Sequence, residues 1–227
     1  MNTSTILDAL QHRYAVKRFD PTKKVSEEYL QTILEAGRLA PSSLGLQPFD
    51  IIVVKNPEIR KELLKPAMGQ SQITDASHLI VFSIKNVLTV DDVDAAMERI
   101  AAARNIDVSS LAGFRKSVML YVKITRFVRW FPGLAKWTPA GRKDHEWAAK
   151  QAYISLGFML ETAALLGVDA CPMGGFMEPG FNKALGLRGT GYHAEVALAI
   201  GYHAEDDKYA HLAKMRRSSA DMIRVIE

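Results

Sequence analysis

Tyr192-His193-Ala194-Glu195-Val196-Ala197-Leu198-Ala199-Ile200-Gly201-Tyr202 is the stretch whose period decides the fold. Tyr192, Ala194, Val196, Leu198 and Ile200 alternate with His193, Glu195, Ala197 and Ala199, the two-residue period of a strand with unlike faces. Working outward, Phe49 to Val54, Leu79 to Ile84 and Val168 to Met173 read as further short strands. The first two are β-branched apolar runs, which predicts burial on both faces. Helices separate them. Ser26 caps a helix from Glu27 to Ala36 in which Leu30, Ile33, Leu34 and Gly37 share a face, and Pro57 opens another that ends at Lys65. Ser4 to Gln11, Asp91 to Arg104 and Gly113 to Arg129 are helical by composition. The strongest helix, Asp144 to Leu166, starts on acidic residues, stops at Gly167 and is apolar around nearly its whole circumference. That is the pattern of a helix buried in a core or between subunits. The helical spacers are too uneven for repeated βαβ units, so an α+β sandwich is expected rather than a doubly wound sheet.

The chain has 227 residues, 48% of them apolar and 24% charged, enough for one sizeable core. No repeat or long Pro/Gly/Ser linker divides it, so residues 1–227 are read as one domain. With 29 Lys and Arg against 25 Asp and Glu, the net charge of +4 favours anionic ligands without implying nucleic acid. The most apolar stretch, Ala152 to Leu166, is interrupted by Ser155, Gly157, Glu161 and Thr162 and predicts no membrane span. A single cysteine, Cys171, and an N-terminus without a basic, apolar leader fit a cytoplasmic protein.

Common catalytic motifs are absent: no GxGxxG after a strand, no GxxxxGK[ST], no HExxH and no GxSxG. The six histidines never fall at metal-ligand spacing on a predicted helix, so no metal is expected, and Ser42-Ser43 reads as a pair of loop serines. Two basic clusters remain. In Arg13-Tyr14-Ala15-Val16-Lys17-Arg18-Phe19, extended backbone points Arg13 and Lys17 the same way, where a phosphate and a second electron-rich group could be met together. Lys214-Met215-Arg216-Arg217 repeats the device near the other end. Between residues 91 and 142 lies an expected excursion whose aromatics Phe127, Trp130, Phe131 and Trp137 surround Pro132-Gly133 without periodicity.

These clusters are similar to signatures of the flavin-dependent nitroreductase family. Arg13, Ala15, Lys17 and Phe19 resemble its Arg-x-Ser-x-Arg/Lys-x-Phe segment, and Pro41, Ser42, Ser43, Gly45, Gln47 and Pro48 its loop before the first core strand. Asp75-Ala76-Ser77 after Gly69-Gln70-Ser71-Gln72, then Pro172-Met173-Gly174-Gly175, Gly201 and Lys214-x-Arg216 follow in family order. Ala15 replaces the usual Ser, and Gly174 stands where some members carry Glu.

The resemblance implies a central mixed or antiparallel sheet flanked by helices, and a homodimer that exchanges a C-terminal strand and holds FMN at the subunit interface. It implies hydride transfer from NAD(P)H through flavin N5 to a nitroaromatic or quinone, in ping-pong order, with the flavin rather than a side chain carrying the chemistry. By position, Arg13, Lys214 and Arg216 resemble the phosphate clamp, Tyr14 and Ala15 offer backbone, and Lys17 approaches the pyrimidine edge. Pro41, Ser42, Ser43 and Gly45 would come from the partner, Gln70 or Gln72 would meet the ring's polar edge, and Pro172 to Gly175 would lie beside N5. Phe127, Trp130 and Phe131 are the candidates for binding a small aromatic acceptor. A dehalogenase or flavin-degrading enzyme of the same fold, or a non-enzymatic flavin-binding module, is the alternative.

Overall fold

The computed structural model describes residues 3–129 and 144–227, the side chains of 125–129 excepted. Four strands form one sheet: β1 (Phe49–Val54), β2 (His78–Lys85), β3 (Asp169–Met173) and β4 (Tyr192–Gly201), in the order β1-β2-β4-β3. Every neighbouring pair is antiparallel, with Ile80 opposite Leu198 and Phe82 opposite Val196 in the centre. Among the described residues, the one parallel pairing is an isolated bridge between Ala15 and Ala170 on the outer edge of β3.

Helices cover both faces of this sheet. The first group is α1 (Thr3–His12), α2 (Glu27–Leu39), α3 (Pro57–Leu64), α4 (Gln72–Asp75) and α5 (Val90–Arg104). After it come α6 (Ala112–Arg129), α7 (Asp144–Leu165), α8 (Glu178–Ala184) and α9 (Ser219–Met222). On one face Ile80, Phe82, Ile84, Val196, Leu198 and Ile200 meet α2 and α7, through Leu30, Ile33, Leu156 and Met159. On the other, Leu79, Val81, Ala197 and Ala199 meet Val16, Phe19, Leu63 and Phe181. A third cluster, built on Val93, Met97, Val118 and Val122, joins α5 to α6. None of the described helices is long and apolar enough to cross a membrane.

Helix starts follow their sequence signals. Ser26 Oγ accepts the Tyr29 amide at 3.2 Å, and Asn56 Oδ1 accepts the Glu58 amide at 2.8 Å ahead of Pro57. Two expectations need correction. The strict alternation of β4 is broken by a register shift opposite Phe82 and Ser83, so Tyr192 and Ala194 pack on the face of Ala197 and Ala199, where residues 14–19 lie, and not on that of Val196, Leu198 and Ile200. β1 is only partly buried, since it is an edge strand with a neighbour on one side alone. Within one protomer, α7 buries a stripe that includes Ala148, Ala152, Leu156 and Met159, and Tyr153, Ile154 and Phe158 are 40–46% exposed.

Among the described residues, Gly37, Gly180 and Gly201 each sit where a Cβ would collide with a neighbour, Gly180 against Pro66 at 2.4 Å. A Cβ on Gly37 would stand 2.7 Å from Met159 Sδ, which keeps α2 tight on α7, and the Gly37 carbonyl accepts the Ser155 hydroxyl at 2.8 Å. A Cβ on Gly201 would stand 2.8 Å from the Phe19 ring and 3.1 Å from the Ser77 amide nitrogen. Gly201→Ala is therefore expected to destabilise the protein by about 1–3 kcal/mol, through overpacking where β4 meets the N-terminal segment. A thermal scan checks this, with Tm falling roughly 2–4 °C per kcal/mol for a domain of this size. An unchanged Tm would show that Phe19 yields freely.

Candidate functional site

The site begins where α1 ends. Beyond His12 the chain runs extended along β3: the Val16 amide donates to the Ala170 carbonyl at 3.4 Å, and Ala15 bridges Ala170. Phe19 pairs with His203, the Asp20 amide donates to the Tyr202 carbonyl at 2.8 Å, and the Ala204 amide to the Arg18 carbonyl at 2.9 Å. These bonds lay the segment after α1 against the segment after β4. The Lys214 ammonium completes the closure by donating to the Leu10 carbonyl at 2.6 Å and to the Arg13 carbonyl.

The two basic clusters thereby face one cavity of about 730 Å³, whose walls include Arg13, Tyr14, Lys17, Lys214 and Arg216. Its electrostatics are unbalanced. Burial, followed by the nearby charge of Arg216, lowers the pKa of the Arg13 guanidinium, and burial, Arg13 and Arg216 lower that of Lys214. The Nε of Arg13 is buried with no hydrogen-bond partner. A buried donor without an acceptor costs free energy, so a crowded cationic cavity with a free guanidinium edge is built to receive an anion.

Two glutamines at the start of α4 reach other segments of the chain. Gln72, buried, reaches the Val16 carbonyl at 3.5 Å, while Gln70 Nε2 donates to the Ala67 carbonyl at 2.9 Å and to the Gly175 carbonyl at 3.1 Å. Pro172 and Met173 close β3, and Gly174 follows, where a Cβ would lie 3.4 Å from the Tyr153 hydroxyl. The segment beyond β3 thus continues the strand whose Ala170 bridges Ala15. A second cavity of about 780 Å³ runs along the open edge of β1, between α2 and α5, past Leu34, Arg38, Phe49, Ile51 and Tyr192.

A model described as the nitroreductase family matches residues 10–202. The chain belongs to the nitroreductase family. It is 36% identical over 229 residues to a Staphylococcus epidermidis protein described as a putative NAD(P)H nitroreductase, covering 98% of this chain and 97% of that one. It is 33% identical to a Bacillus subtilis protein of the same description, with 96% of each chain covered. Among solved structures, a nitroreductase-like protein from Streptococcus mutans superposes with a TM-score of 0.78 at 21% identity over 100% of both chains. An Exiguobacterium sibiricum protein described as a putative nitroreductase, solved in complex with FMN, gives 0.71 at 20% identity over 100% of this chain and 98% of that chain.

Within this nitroreductase chain, Arg13, Tyr14, Ala15, Lys17, Lys214 and Arg216 line one cavity, whereas Gln70, Gln72 and Pro172 to Gly175 do not: Gln72 reaches the Val16 carbonyl and Gln70 the Gly175 carbonyl. Pro41, Ser42, Ser43 and Gly45 do not line that cavity. Their loop rides on α7, where the Ser43 amide donates to Gln151 Oε1 at 2.9 Å, and it turns through Leu44 and Gly45 at φ of 60° and 68°. Trp130, Phe131 and the Phe127 side chain lie outside the described residues.

Asp207 is the residue that motif reading missed. It is 1% exposed, and its Oδ2 accepts the Tyr14 hydroxyl at 3.0 Å, the Lys17 amide at 2.9 Å and the Arg18 amide at 3.2 Å. Oδ1 takes the Tyr209 amide at 3.1 Å. The one available signal was the run Glu205-Asp206-Asp207, an acidic triplet shortly before the basic residues it serves.

Proposed function

We propose that this chain is an FMN-dependent NAD(P)H oxidoreductase working as a homodimer. The observation that carries the reading is the unpartnered, buried Arg13 Nε in a cavity shared with Lys214 and Arg216. A phosphate dianion supplies the missing acceptor and relieves the repulsion among the cations, so the residues present fit FMN. When bound, FMN supplies the hydride chemistry, accepting from NAD(P)H at N5 and passing reducing equivalents to an acceptor.

The protein's part is to bind and orient. Arg13, Lys214 and Arg216 hold the phosphate, Tyr14 and Ala15 present backbone, and Lys17 brings positive charge to the pyrimidine edge, where it favours the reduced, anionic ring. Gln70 or Gln72 meets the ring's polar edge. The Pro172 to Gly175 backbone approaches N5, which glycine permits. Donor and acceptor use the same opening in turn, a ping-pong order, and the acceptor is a small aromatic, a nitroaromatic or a quinone. Phe127, Trp130 and Phe131 are the residues proposed to bind that acceptor.

Three observations support the dimer. α7 exposes Tyr153, Ile154 and Phe158, and the 41–45 loop rides on that same helix, so an interface on α7 would carry Ser42 and Ser43 to the partner's flavin. The C-terminal Met222, Ile223, Val225 and Ile226 are 61–95% exposed, and β1 leaves an open edge beside a groove that suits an added strand.

The absorption spectrum of the purified protein, before and after addition of FMN, tests the class. Flavin bands, or saturable uptake of FMN, are expected, followed by bleaching with NAD(P)H and recovery on adding a quinone. A protein that takes up no flavin sinks the reading, and uptake without NAD(P)H oxidation makes the chain a flavin-binding module.

A further inference from the structure

The geometry points to Asp207 as a positioning residue for the phosphate clamp, an inference that rests on the FMN reading above. Its carboxylate is buried, and burial alone raises its pKa. Hydrogen bonds from the Lys17, Tyr209 and Arg18 amides and the Tyr14 hydroxyl more than offset this and hold it below the usual carboxylate range. Burial first, then the bond to Asp207, pushes the Tyr14 phenol well above its usual range, so that hydroxyl remains a donor.

The placement of these donors is what matters. Tyr14, Lys17 and Arg18 belong to the segment that carries Arg13, and Tyr209 opens the turn that leads to Lys214 and Arg216. A single carboxylate therefore binds both walls of the cavity, linking residues about 190 apart in the chain. Three donors converge on Oδ2 and one meets Oδ1. An acceptor-only group suits both oxygens; a carboxamide, which must turn its NH₂ toward one set of donors, does not. Arg13, Lys17, Lys214 and Arg216 all line the cavity, yet the Asp207 carboxylate accepts from amide and hydroxyl donors rather than from a cation. Its function is to hold the backbone in the shape that aims Arg13 and Lys214 at one point.

Discrimination between FMN and riboflavin reads this role, because the two ligands differ only in the phosphate. Apoprotein is titrated with each flavin by fluorescence quenching, for the parent, Asp207→Asn, Tyr14→Phe and Asp169→Asn. Asp169 is the control: its Oδ2 accepts the His203 amide and ring nitrogen at 2.8 and 2.7 Å, in the same region, without bonding to residues 13–18. Asp207→Asn is expected to weaken FMN about tenfold or more while riboflavin affinity hardly changes, so that the ratio collapses. Tyr14→Phe leaves the three amide donors in place and should lower the ratio by a smaller factor, about two- to threefold. Asp169→Asn should keep the parent's ratio.

A parent-like ratio in Asp207→Asn overturns the inference, whether neither affinity moves or both fall together as general loosening would require. An equal collapse in Asp169→Asn overturns it too. Should Asp207→Asn fail to fold, Tyr14→Phe decides alone, and an unchanged ratio there counts against Asp207. A parent protein that binds neither flavin is a different result, which removes the FMN reading and this inference with it.

Discussion

Arg13→Ala is expected to lower FMN affinity about 10- to 100-fold while leaving the apoprotein at least as stable as the parent. The two effects have opposite signs for one reason. In the apoprotein the Arg13 guanidinium is partly desolvated, lies near Arg216 and has a buried Nε without an acceptor. Truncating it removes an unsatisfied donor and a like-charge repulsion, both unfavourable in the absence of an anion. In the complex the same group would make a charge-assisted contact to a dianionic phosphate, worth roughly 1.5–3 kcal/mol. That range corresponds to about the stated loss in affinity. Arg216→Ala should act in the same direction at the lower end of the range, because Arg216 is exposed and already donates to the Met215 carbonyl at 2.7 Å. Equilibrium titration with FMN, paired with thermal scans of both apoproteins, checks the pair of signs. Parent-like FMN affinity in both variants would refute the clamp, and a large loss of apoprotein Tm would recast Arg13 as a structural residue.

Removing residues 218–227 is expected to weaken the dimer by about a thousandfold or more, with little change in the fold of each protomer. Within one protomer, none of the residues from 218 onward is buried, so the truncation takes nothing from the core. Across an interface, Met222, Ile223, Val225 and Ile226 would each contribute on the order of 1–2 kcal/mol on burial. Their loss from both chains readily exceeds the roughly 4 kcal/mol that a thousandfold change represents. Sedimentation at micromolar concentration should give a dimer for the full chain and predominantly monomer for the shortened one. FMN should be lost with the dimer, since Ser42 and Ser43 would no longer reach the site. A full-length monomer that retains FMN would contradict the shared site, and an undiminished dimer after truncation would assign the interface to α7 alone.

Much of the fold was legible in the sequence where local rules suffice. The strands at Phe49–Val54 and His78–Lys85 and the Ser26-capped helix lie within a few residues of their expected bounds, because period, capping and proline placement act over a few neighbours. Burial was less legible. The apolar circumference of α7 predicted a helix buried in a core or between subunits, but helix composition does not say which, and within one protomer only the stripe facing α2 and the sheet is covered. The alternation in β4 predicted two unlike faces, whereas a register shift opposite Phe82 and Ser83, invisible to a two-residue period, moves Tyr192 and Ala194 to the face of Ala197 and Ala199.

The sequence by itself determined the residue types of the site, two basic clusters near the ends of the chain and a glycine pair after a strand, together with the order of motifs that aligns the chain with its family. Only the tertiary structure decided that Arg13 and Lys214 meet across about 200 residues, that Gln70 reaches Gly175 while Gln72 reaches Val16, and that Asp207 joins the walls of the cavity. The physical reason is the range of the forces involved. Backbone propensity is local, so it can be read along the chain; a hydrogen bond to a buried carboxylate depends on where the folded sheet carries two distant segments, and no short window contains both.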